Sequence, residues 1–237
     1  MNNNWQLRTT ALLGEDSTHI LAGSRVAVLG LGGVGGAAAE ALVRAGVGNL
    51  LLVDKDCFDI TNLNRQILCD REQVGKAKTT AAKERFALIN PNAQIYTAQE
   101  FFLPENSSFL FDFKPDFVVD AIDTVTAKLY LAKECKQRNI PLLCCLGTGN
   151  RLDPSKLTYA DISKTSGCPL ARVMRRELRK LGIDKLDVVF STEQPIKAVA
   201  DSEHGKNSPG SSPFVPPAAG LLMASLTVKY LIENKKA

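Results

Sequence analysis

The first 150 residues alternate between short apolar runs and longer stretches of helical composition. Apolar runs at 25–30 and 49–54 flank an alanine-rich stretch at 35–45, and such runs are typical of strands covered on both faces. Strand, glycine turn, helix and strand in this order predict a β-α-β unit. Further predicted elements are a helix at 75–89, strands at 94–98 and 117–121, a helix at 124–138 and a strand at 141–146. The pattern predicts an α/β fold with a Rossmann-like, mostly parallel sheet and flanking helices.

The second part of the chain has shorter signals. It contains a predicted strand at 157–162, a basic helix at 169–181 and a strand at 187–191. Residues 193–217 then carry five prolines, two glycines and several serines. This composition is typical of a mobile crossover loop without packed structure of its own. The final helix is predicted from near Pro217 to about Ile232, so a smaller α+β part continues the sheet.

Composition supports one folded domain. The 237 residues are 45% hydrophobic and 23% charged, which excludes disordered and collagen-like classes, and the net charge of +4 permits an acidic partner without requiring one. The polar N-terminus has no targeting pattern, which favours the cytoplasm. The apolar run from Val215 to Val228 contains two prolines and is shorter than the ~20 residues of a membrane span, so we expect a buried helix and no membrane.

The six cysteines do not form a metal-binding pattern. They contain no Cys-x-x-Cys pair, which argues against a tetrahedral zinc site, and a reducing compartment argues against disulfides. Buried thiols are therefore expected for most of them. Cys168 precedes the basic helix and invites a catalytic interpretation, but a single cysteine without a neighbouring histidine is more often structural.

A glycine-rich turn joins the first predicted strand to the first predicted helix. Gly30, Gly32, Gly33 and Gly35 satisfy the pattern G-x-G-x-x-G, and Asp54 ends the next strand 19 residues beyond Gly35. Glycines let the backbone approach phosphates, the helix N-terminus attracts them, and an acid at this distance can accept ribose hydrogen bonds. The sequence therefore predicts a nucleotide site. Glycines that only pack a helix on a strand are the alternative.

A dense polar cluster after Asp54 favours a nucleoside triphosphate over NAD. Its members are Asp56, Asn62, Asn64, Arg65, Gln66 and Lys78. Arg65 could neutralise charge that develops on a phosphorus atom under attack, and Lys78 could reach the same phosphates. Asp123 follows another apolar strand, and we assign it Mg²⁺; capping of the helix at 124–138 is its alternative role.

Five ordered motifs resemble the E1-like adenylating superfamily, which includes ThiF, MoeB and the activating enzymes of ubiquitin. They are G-x-G-G-x-G at 30–35, D-x-D at 54–56, N-L-x-R-Q at 62–66, G-x-x-K at 75–78 and D-x-x-D at 120–123. The resemblance implies ATP and Mg²⁺ binding and adenylation of a substrate carboxylate. It assigns the ribose to Asp54, the phosphates to Asn62, Arg65 and Lys78, and the metal to Asp123. It also implies a homodimer in which Arg8 completes the partner subunit's site. The catalytic candidates are Arg65, Lys78 and Asp123.

The second part of the chain selects a branch of this superfamily. Stretches at 152–165, 189–193 and 210–225 are similar to the branch that dehydrates N6-threonylcarbamoyladenosine in tRNA. That branch implies ATP-dependent activation of the threonyl carboxylate beside the anticodon and intramolecular ring closure. The nucleotide-binding part would then be 1–150, and 151–237 would face the substrate, with the crossover loop at about 193–217. Ring closure needs no thioester cysteine, because the nucleophile is already tethered.

Three other functions remain open. Activators of ubiquitin-like sulfur-carrier proteins, of the ThiF and MoeB type, share the nucleotide motifs but generally carry Cys-x-x-Cys zinc ligands. A nucleotide-binding module without catalysis and an NAD-dependent dehydrogenase are the other two. A sulfur-relay protein is a further candidate partner.

The predicted basic helix is the candidate tRNA surface. Its cations recur at three- and four-residue spacing, and they are Arg172, Arg175, Arg176, Arg179 and Lys180. Arg138, Arg151 and Lys156 add positive charge nearby in the sequence. Such a row could follow phosphates, whereas a solvated basic helix face is the alternative. We expect residues 204–213 of the crossover loop to close over RNA and adenylate.

Overall fold

A computed structural model describes residues 4–197 and 209–235 of the chain. The strands are β1 (Arg25–Leu29), β2 (Asn49–Val53), β3 (Gln94–Ala98), β4 (Phe117–Asp120), β5 (Leu142–Leu146), β6 (Leu157–Asp161) and β7 (Asp187–Ser191). The α-helices are α1 (Leu7–Leu13), α2 (Glu15–Gly23), α3 (Gly33–Ala45), α4 (Lys78–Ile89), α5 (Ser108–Asp112), α6 (Val125–Arg138), α7 (Pro169–Lys180) and α8 (Val215–Lys235).

The strands form one sheet in the order β3-β2-β1-β4-β5-β7-β6. All neighbours are parallel except β6, which runs antiparallel to β7 at one edge. The chain order reverses between β1 and β4, and ligands of open α/β sheets bind at the carboxyl ends of such a pair. The predicted Rossmann-like, mostly parallel sheet with flanking helices is confirmed.

Two hydrophobic layers cover the two faces of the sheet. Successive residues of a strand point to opposite faces, so Val28 belongs to one layer and Leu29 to the other. Phe86 of α4 and Met223 of α8 pack in the first layer. Met174 of α7 packs in the second. Both parts of the chain therefore contribute to one sheet and to both of its layers.

The last helix packs on the glycine-rich helix. An ideal Cβ on Gly220 of α8 would lie 2.2 Å from the Val34 carbonyl oxygen of α3, so only glycine permits this approach. The helix is long and apolar enough to span a membrane by length and composition alone. Ala219, Met223 and Leu231 are nevertheless buried in the protein core, which agrees with the predicted buried helix.

The main differences from the predicted elements lie at helix starts. α4 begins at Lys78 and not at Gly75, because Gly75 has a φ of 88° and Ala77 forms a β-bridge with Cys57. α8 begins at Val215, two residues before Pro217. The short helices α1, α2 and α5 are not in the sequence-based prediction. Within the predicted crossover loop, 198–208 lie outside the described residues, and so does His204.

Candidate active site

A cavity of about 500 Å³ opens at the carboxyl ends of β1, β2 and β4. Its wall consists of Leu29, Gly30, Gly32, Gly33, Val53, Asp54, Lys55, Asp56, Cys57, Asp59, Asn62, Arg65, Gln66, Lys78, Glu100, Phe101, Phe102, Ala121, Ile122 and Asp123. Most of the residues that the sequence motifs nominate therefore meet in one place. Gly35, Asn64 and Arg8 are not part of this wall.

The glycine turn has the geometry that phosphate binding needs. Gly30 has a φ of 86°, and an ideal Cβ on Gly35 would lie 1.7 Å from the Gly30 carbonyl oxygen. Gly35 is thus required for the tight turn from strand to helix, and its role towards a ligand stays a prediction. α3 begins after Gly32 without a side-chain cap. Its first N–H groups and its positive dipole end remain available for an anion.

Asp54 braces the glycine turn from the neighbouring strand. Its Oδ2 accepts a hydrogen bond from the Leu31 N–H at 2.6 Å, and its Oδ1 accepts one from the Asp56 N–H at 2.8 Å. The buried Lys78 ammonium lies 3.4 Å from Asp56 Oδ2 and 4.0 Å from Asp54 Oδ2. The carboxylates therefore hold a cation at the cavity wall, in a place where it could also meet phosphate oxygens.

The turn at Ile60–Asn62 supplies the other polar groups of the wall. Asp59 and Asn62 form a reciprocal cap, in which the Asn62 Oδ1 accepts from the Asp59 N–H. Arg65 donates to the Thr61 carbonyl oxygen at 3.0 Å. Gln66 is buried, and its Oε1 has no hydrogen-bond partner. An unpaired polar atom in a cavity wall is a group that a ligand can satisfy.

Asp123 lies on the turn that follows β4. Its Oδ1 accepts a hydrogen bond from Thr124 Oγ1 at 3.2 Å, and α6 begins after Thr124 without any side-chain cap. The capping role that we considered for Asp123 is therefore wrong. The exposed carboxylate instead faces the cavity.

The turn that carries Asp123 rests on a buried ion pair. Lys128 Nζ lies 3.0 Å from Asp120 Oδ1, and it also donates to the Cys145 carbonyl oxygen at 3.0 Å. Asp120 Oδ1 accepts in addition from the Ile122 N–H. Ala121 lies between Asp120 and Ile122, and its backbone packs closely against Gly30. An ideal Cβ on Gly30 would lie 2.7 Å from the Ala121 carbonyl oxygen. The pair thus joins the carboxyl ends of β4 and β5 behind the cavity.

Sequence reasoning missed the segment after β3. Glu100, Phe101 and Phe102 line the cavity, and Lys55 Nζ lies 4.7 Å from the centre of the Phe101 ring. This wall combines apolar surface with a cation and a carboxylate, which suits a heterocyclic base. Their position in the sequence could have revealed them, because they follow β3, and the residues of binding sites gather at the carboxyl ends of parallel strands.

Most cysteines behave as core residues. All except Cys57 are buried, and burial raises the pKa of the Cys145 thiol to about 12. The Cys168 Sγ accepts a hydrogen bond from the Ala171 N–H at the start of α7. That contact gives Cys168 a helix-capping role. Cys57 is exposed and lines the cavity, so the expectation that most of the thiols are buried is confirmed with Cys57 as the exception.

The basic helix α7 is strongly one-sided, but its cations are not equivalent. Arg175 donates to the Thr165 carbonyl oxygen at 2.7 Å and to Thr165 Oγ1, so its guanidinium is engaged in the fold. Arg176 and Lys180 both pair with Glu177. Arg172 and Arg179 are exposed. These two remain the strongest candidates for phosphate contacts.

The neighbouring cations contribute less than their sequence positions suggest. Arg151 is buried, and its guanidinium donates to the Glu193 and Gly149 carbonyl oxygens. Its suggested contribution to an RNA surface is therefore wrong. Arg138 pairs with Glu134 and stacks on Phe111.

Arg8 is exposed on α1 and is not part of the cavity wall of its own chain. None of the residues of α1 is buried. Completion of a partner's site by Arg8 remains a prediction.

Comparison with known proteins identifies the family. The model of the ThiF family matches residues 4–237. The chain belongs to the ThiF family. One similar protein, the tRNA threonylcarbamoyladenosine dehydratase of Bacillus subtilis, is 44% identical over 239 residues, which cover 96% of this chain and 94% of the relative.

Two solved structures are similar to the chain over nearly its whole length. The E. coli tRNA N6-threonylcarbamoyladenosine dehydratase TcdA in complex with AMP is 32% identical and superposes with a TM-score of 0.90 over 99% of this chain and 98% of its own. The same E. coli enzyme in complex with ATP gives a TM-score of 0.89 at the same coverage. The similarity therefore extends over both parts of the chain.

Proposed function

We propose that this protein is an ATP-dependent tRNA threonylcarbamoyladenosine dehydratase. It would convert N6-threonylcarbamoyladenosine beside the anticodon of tRNA into its cyclic form. The observation that carries the proposal is the meeting of Arg65, Lys78 and Asp123 in one cavity, in a chain that resembles the E. coli enzyme along nearly its whole length. In the sulfur-carrier alternative, the second part of the chain would instead resemble carrier activators.

In the first step, a carboxylate oxygen of the threonyl group attacks the α-phosphorus of ATP. A new P–O bond forms, the bond to pyrophosphate breaks, and an acyl-adenylate remains. Arg65 and Lys78 would neutralise the charge that grows on the phosphate oxygens. The α3 N-terminus would hold a phosphate group through its free N–H groups.

In the second step, a nucleophilic atom of the same modified nucleoside attacks the activated carbonyl carbon. The C–O bond to AMP breaks, AMP carries away one carboxylate oxygen, and the nucleophile loses a proton. The net change in the nucleoside is the loss of one water. Because the nucleophile is tethered to the activated carboxyl group, the reaction needs no covalent intermediate with an enzyme cysteine.

Mg²⁺ fits this site as a companion of ATP. No group of three or more His, Cys, Asp or Glu suited to a metal occurs within residues 4–197 and 209–235. Mg²⁺ in nucleotide sites is usually held by one or two carboxylates together with the phosphates, and Asp123 supplies such a carboxylate. The bound ion would neutralise phosphate charge.

We further propose a homodimer in the cytoplasm. Leu12 of α1 is 82% exposed, and Leu221 of α8 and Phe214 are more than half exposed. In the proposed dimer, a second copy of the chain would cover these apolar side chains and bring Arg8 towards the neighbouring site. A sulfur-relay protein as a further partner remains a prediction.

The decisive experiment is incubation of the purified protein with ATP, Mg²⁺ and threonylcarbamoyl-modified tRNA, followed by mass analysis of the digested nucleosides. We expect loss of one water from the modified nucleoside, only when ATP is present. Pyrophosphate release with a carrier protein ending in Gly-Gly, and not with modified tRNA, would instead support the sulfur-carrier activator. Heat protection by NAD and not by ATP would support the dehydrogenase.

A further inference from the structure

Asn64 connects Arg65 with a distant segment of the chain. The Asn64 Oδ1 accepts a hydrogen bond from Arg65 Nη1 at 2.8 Å, and the Asn64 Nδ2 donates to the Ser211 carbonyl oxygen at 3.1 Å. Asn64 itself is exposed and is not part of the cavity wall. Its amide therefore lies between a residue of the nucleotide cavity and residues 209–214, which lead into α8.

Residues 209–214 are bound on their other side to the loop that follows β5. The Gly210 carbonyl oxygen accepts from the Asn150 N–H at 2.7 Å, and Ser212 Oγ donates to the Arg151 carbonyl oxygen at 3.4 Å. The Asn150 carbonyl oxygen in turn accepts from the Ile196 N–H at 2.7 Å. Asn150 thus binds the chain on both sides of the crossover, at 196 and at 210.

Packing reinforces these hydrogen bonds. An ideal Cβ on Gly33 would lie 3.0 Å from Pro216 Cβ and 3.3 Å from the Arg65 carbonyl oxygen. The start of α8, the glycine turn and the backbone of Arg65 are therefore in contact. A displacement of residues 209–214 would act on Arg65 through its backbone and, by way of Asn64, through its guanidinium.

We propose that Asn64 is a positioning residue that couples the substrate-facing part of the chain to Arg65. The proposal rests on the proposed function, because it concerns Arg65 in the adenylation step. Thr61 alone would anchor the Arg65 guanidinium within its own turn. The added contact through Asn64 makes the orientation of this guanidinium depend on residues 209–214, and through them on the loop after β5.

The substitution Asn64→Asp separates the two halves of the contact. The carboxylate keeps an acceptor for Arg65, whereas the donor to the Ser211 carbonyl oxygen becomes a second acceptor that repels it. We expect kcat for tRNA cyclisation to fall about tenfold while KM for ATP stays within about twofold of the wild-type value. The substitution Asn64→Leu removes both halves, and we expect it to raise KM for ATP as well.

Asn234→Asp is the matched control. Asn234 is also exposed and also donates through Nδ2 to a backbone carbonyl, that of Tyr230, but it lies near the end of α8. We expect wild-type kinetics for this variant. If Asn64 had only a structural role, Asn64→Asp would lower the melting temperature, and kcat would not fall selectively while KM for ATP stays unchanged. That result, or a kcat within about twofold of the wild-type value, would overturn the proposal.

Hydrogen exchange tests the coupling without turnover. We expect ATP to slow exchange of the Asn150 and Ile196 amide hydrogens in the wild-type protein, and to have no such effect in Asn64→Asp. Unchanged exchange of these amides in the wild-type protein on saturation with ATP would overturn the coupling. Failure of the wild-type protein to cyclise modified tRNA, with the ATP effect on exchange present, would overturn the proposed function and leave the coupling supported.

Discussion

Lys128 and Asp120 form an ion pair from which water is excluded on all sides, with 3.0 Å between Nζ and Oδ1. Burial is the largest single effect on the pKa of the Lys128 ammonium and lowers it. The charge and hydrogen bond of Asp120, together with the neighbouring Cys144 and Cys145, outweigh burial, so the pKa lies above the ordinary 10.5. The Asp120 Oδ2 has no hydrogen-bond partner. The Lys128 ammonium is therefore charged at neutral pH, and the two members of the pair depend on each other for a buried polar partner.

Removal of one partner should be far more harmful than removal of both. We expect Lys128→Met to lower the free energy of unfolding by about 3–5 kcal/mol, because it leaves the Asp120 carboxylate buried without a counter-charge. Adding Asp120→Asn should recover part of this loss, which urea denaturation would measure. Lys133→Met, an exposed lysine of the same helix, is the control. A loss below about 1 kcal/mol for Lys128→Met would contradict this account.

Glu40 should make the protein sensitive to acid. Its carboxylate pairs with Arg85 at 2.7 Å and Arg44 at 2.8 Å. Burial alone would raise its pKa, but the two guanidinium groups outweigh burial and hold the pKa below the ordinary 4.5. A lowered folded-state pKa means that this contribution to stability is present above pH 4.5 and is lost as pH falls through the folded-state value.

We therefore expect Glu40→Gln to lower the free energy of unfolding by about 1–2 kcal/mol at neutral pH, a modest value because both arginines are partly exposed. The difference from the wild-type protein should shrink below pH 4.5, in denaturation curves recorded across the acid range. Glu233→Gln serves as the exposed control. A difference that persists unchanged at low pH would show that packing, and not charge, stabilises this site.

Arg65→Ala should affect chemistry more than folding. We expect kcat for cyclisation to fall by about 10²–10³, because a positioned cation on the phosphates acts mainly in the transition state. The melting temperature should stay near the wild-type value, since the Arg65 guanidinium bonds only to its own turn among the described residues. Arg71→Ala, exposed and outside the cavity wall, is the comparison. Full activity of Arg65→Ala would refute its assigned role.

We expect the exposed Arg172 and Arg179 of α7 to contribute to RNA affinity. We do not expect this of Arg175, because its guanidinium is bonded to Thr165. We expect Arg172→Ala with Arg179→Ala to weaken tRNA binding and to reduce the slope of log affinity against log salt by about 2. Arg176→Ala with Lys180→Ala should have less effect, because Glu177 already neutralises part of their charge. Arg175→Ala should instead destabilise the fold through Thr165. Filter binding at several salt concentrations would measure the slopes, and equal slopes for both double variants would count against this surface.

Cys168→Ser should leave catalysis intact. Serine is a good helix N-cap, and its hydroxyl oxygen can accept the hydrogen bond that the Ala171 N–H now donates to the Cys168 Sγ. We expect unchanged kcat and equal or higher thermal stability. A loss of cyclisation in a well-folded Cys168→Ser protein would reveal a catalytic thiol.

The parts of the fold that hydrophobic patterning determines were predictable. The strand at 187–191 matches the structure in full, because Val188, Val189 and Phe190 form a buried apolar run. The strand at 94–98 also matches in full, although Ile95 is its single buried residue. Helix α1 was not predictable in this way, since none of its residues is buried and no apolar face marks it. The start of α4 depends on the bridge between Cys57 and Ala77, a contact between residues far apart in sequence.

The candidate site shows the same division. Motif spacing was enough to bring Arg65, Lys78 and Asp123 together, since each follows an element of the parallel sheet at its carboxyl edge. Spacing could not show that the guanidinium groups of Arg151 and Arg175 bond to backbone carbonyls. The position of an arginine in the sequence does not show which carbonyl or carboxylate groups surround it in the folded protein.

The contact of α8 with α3 has a consequence for the order in which the protein can mature on the ribosome. The glycine turn packs against Pro216, and Gly220 lies against Val34, so residues that are translated long after the glycine turn support it. A nascent chain that has emerged only to residue 214 leaves this face of α3 exposed to water. We therefore expect stable ATP binding to begin only after residues 215–235 have left the ribosomal tunnel.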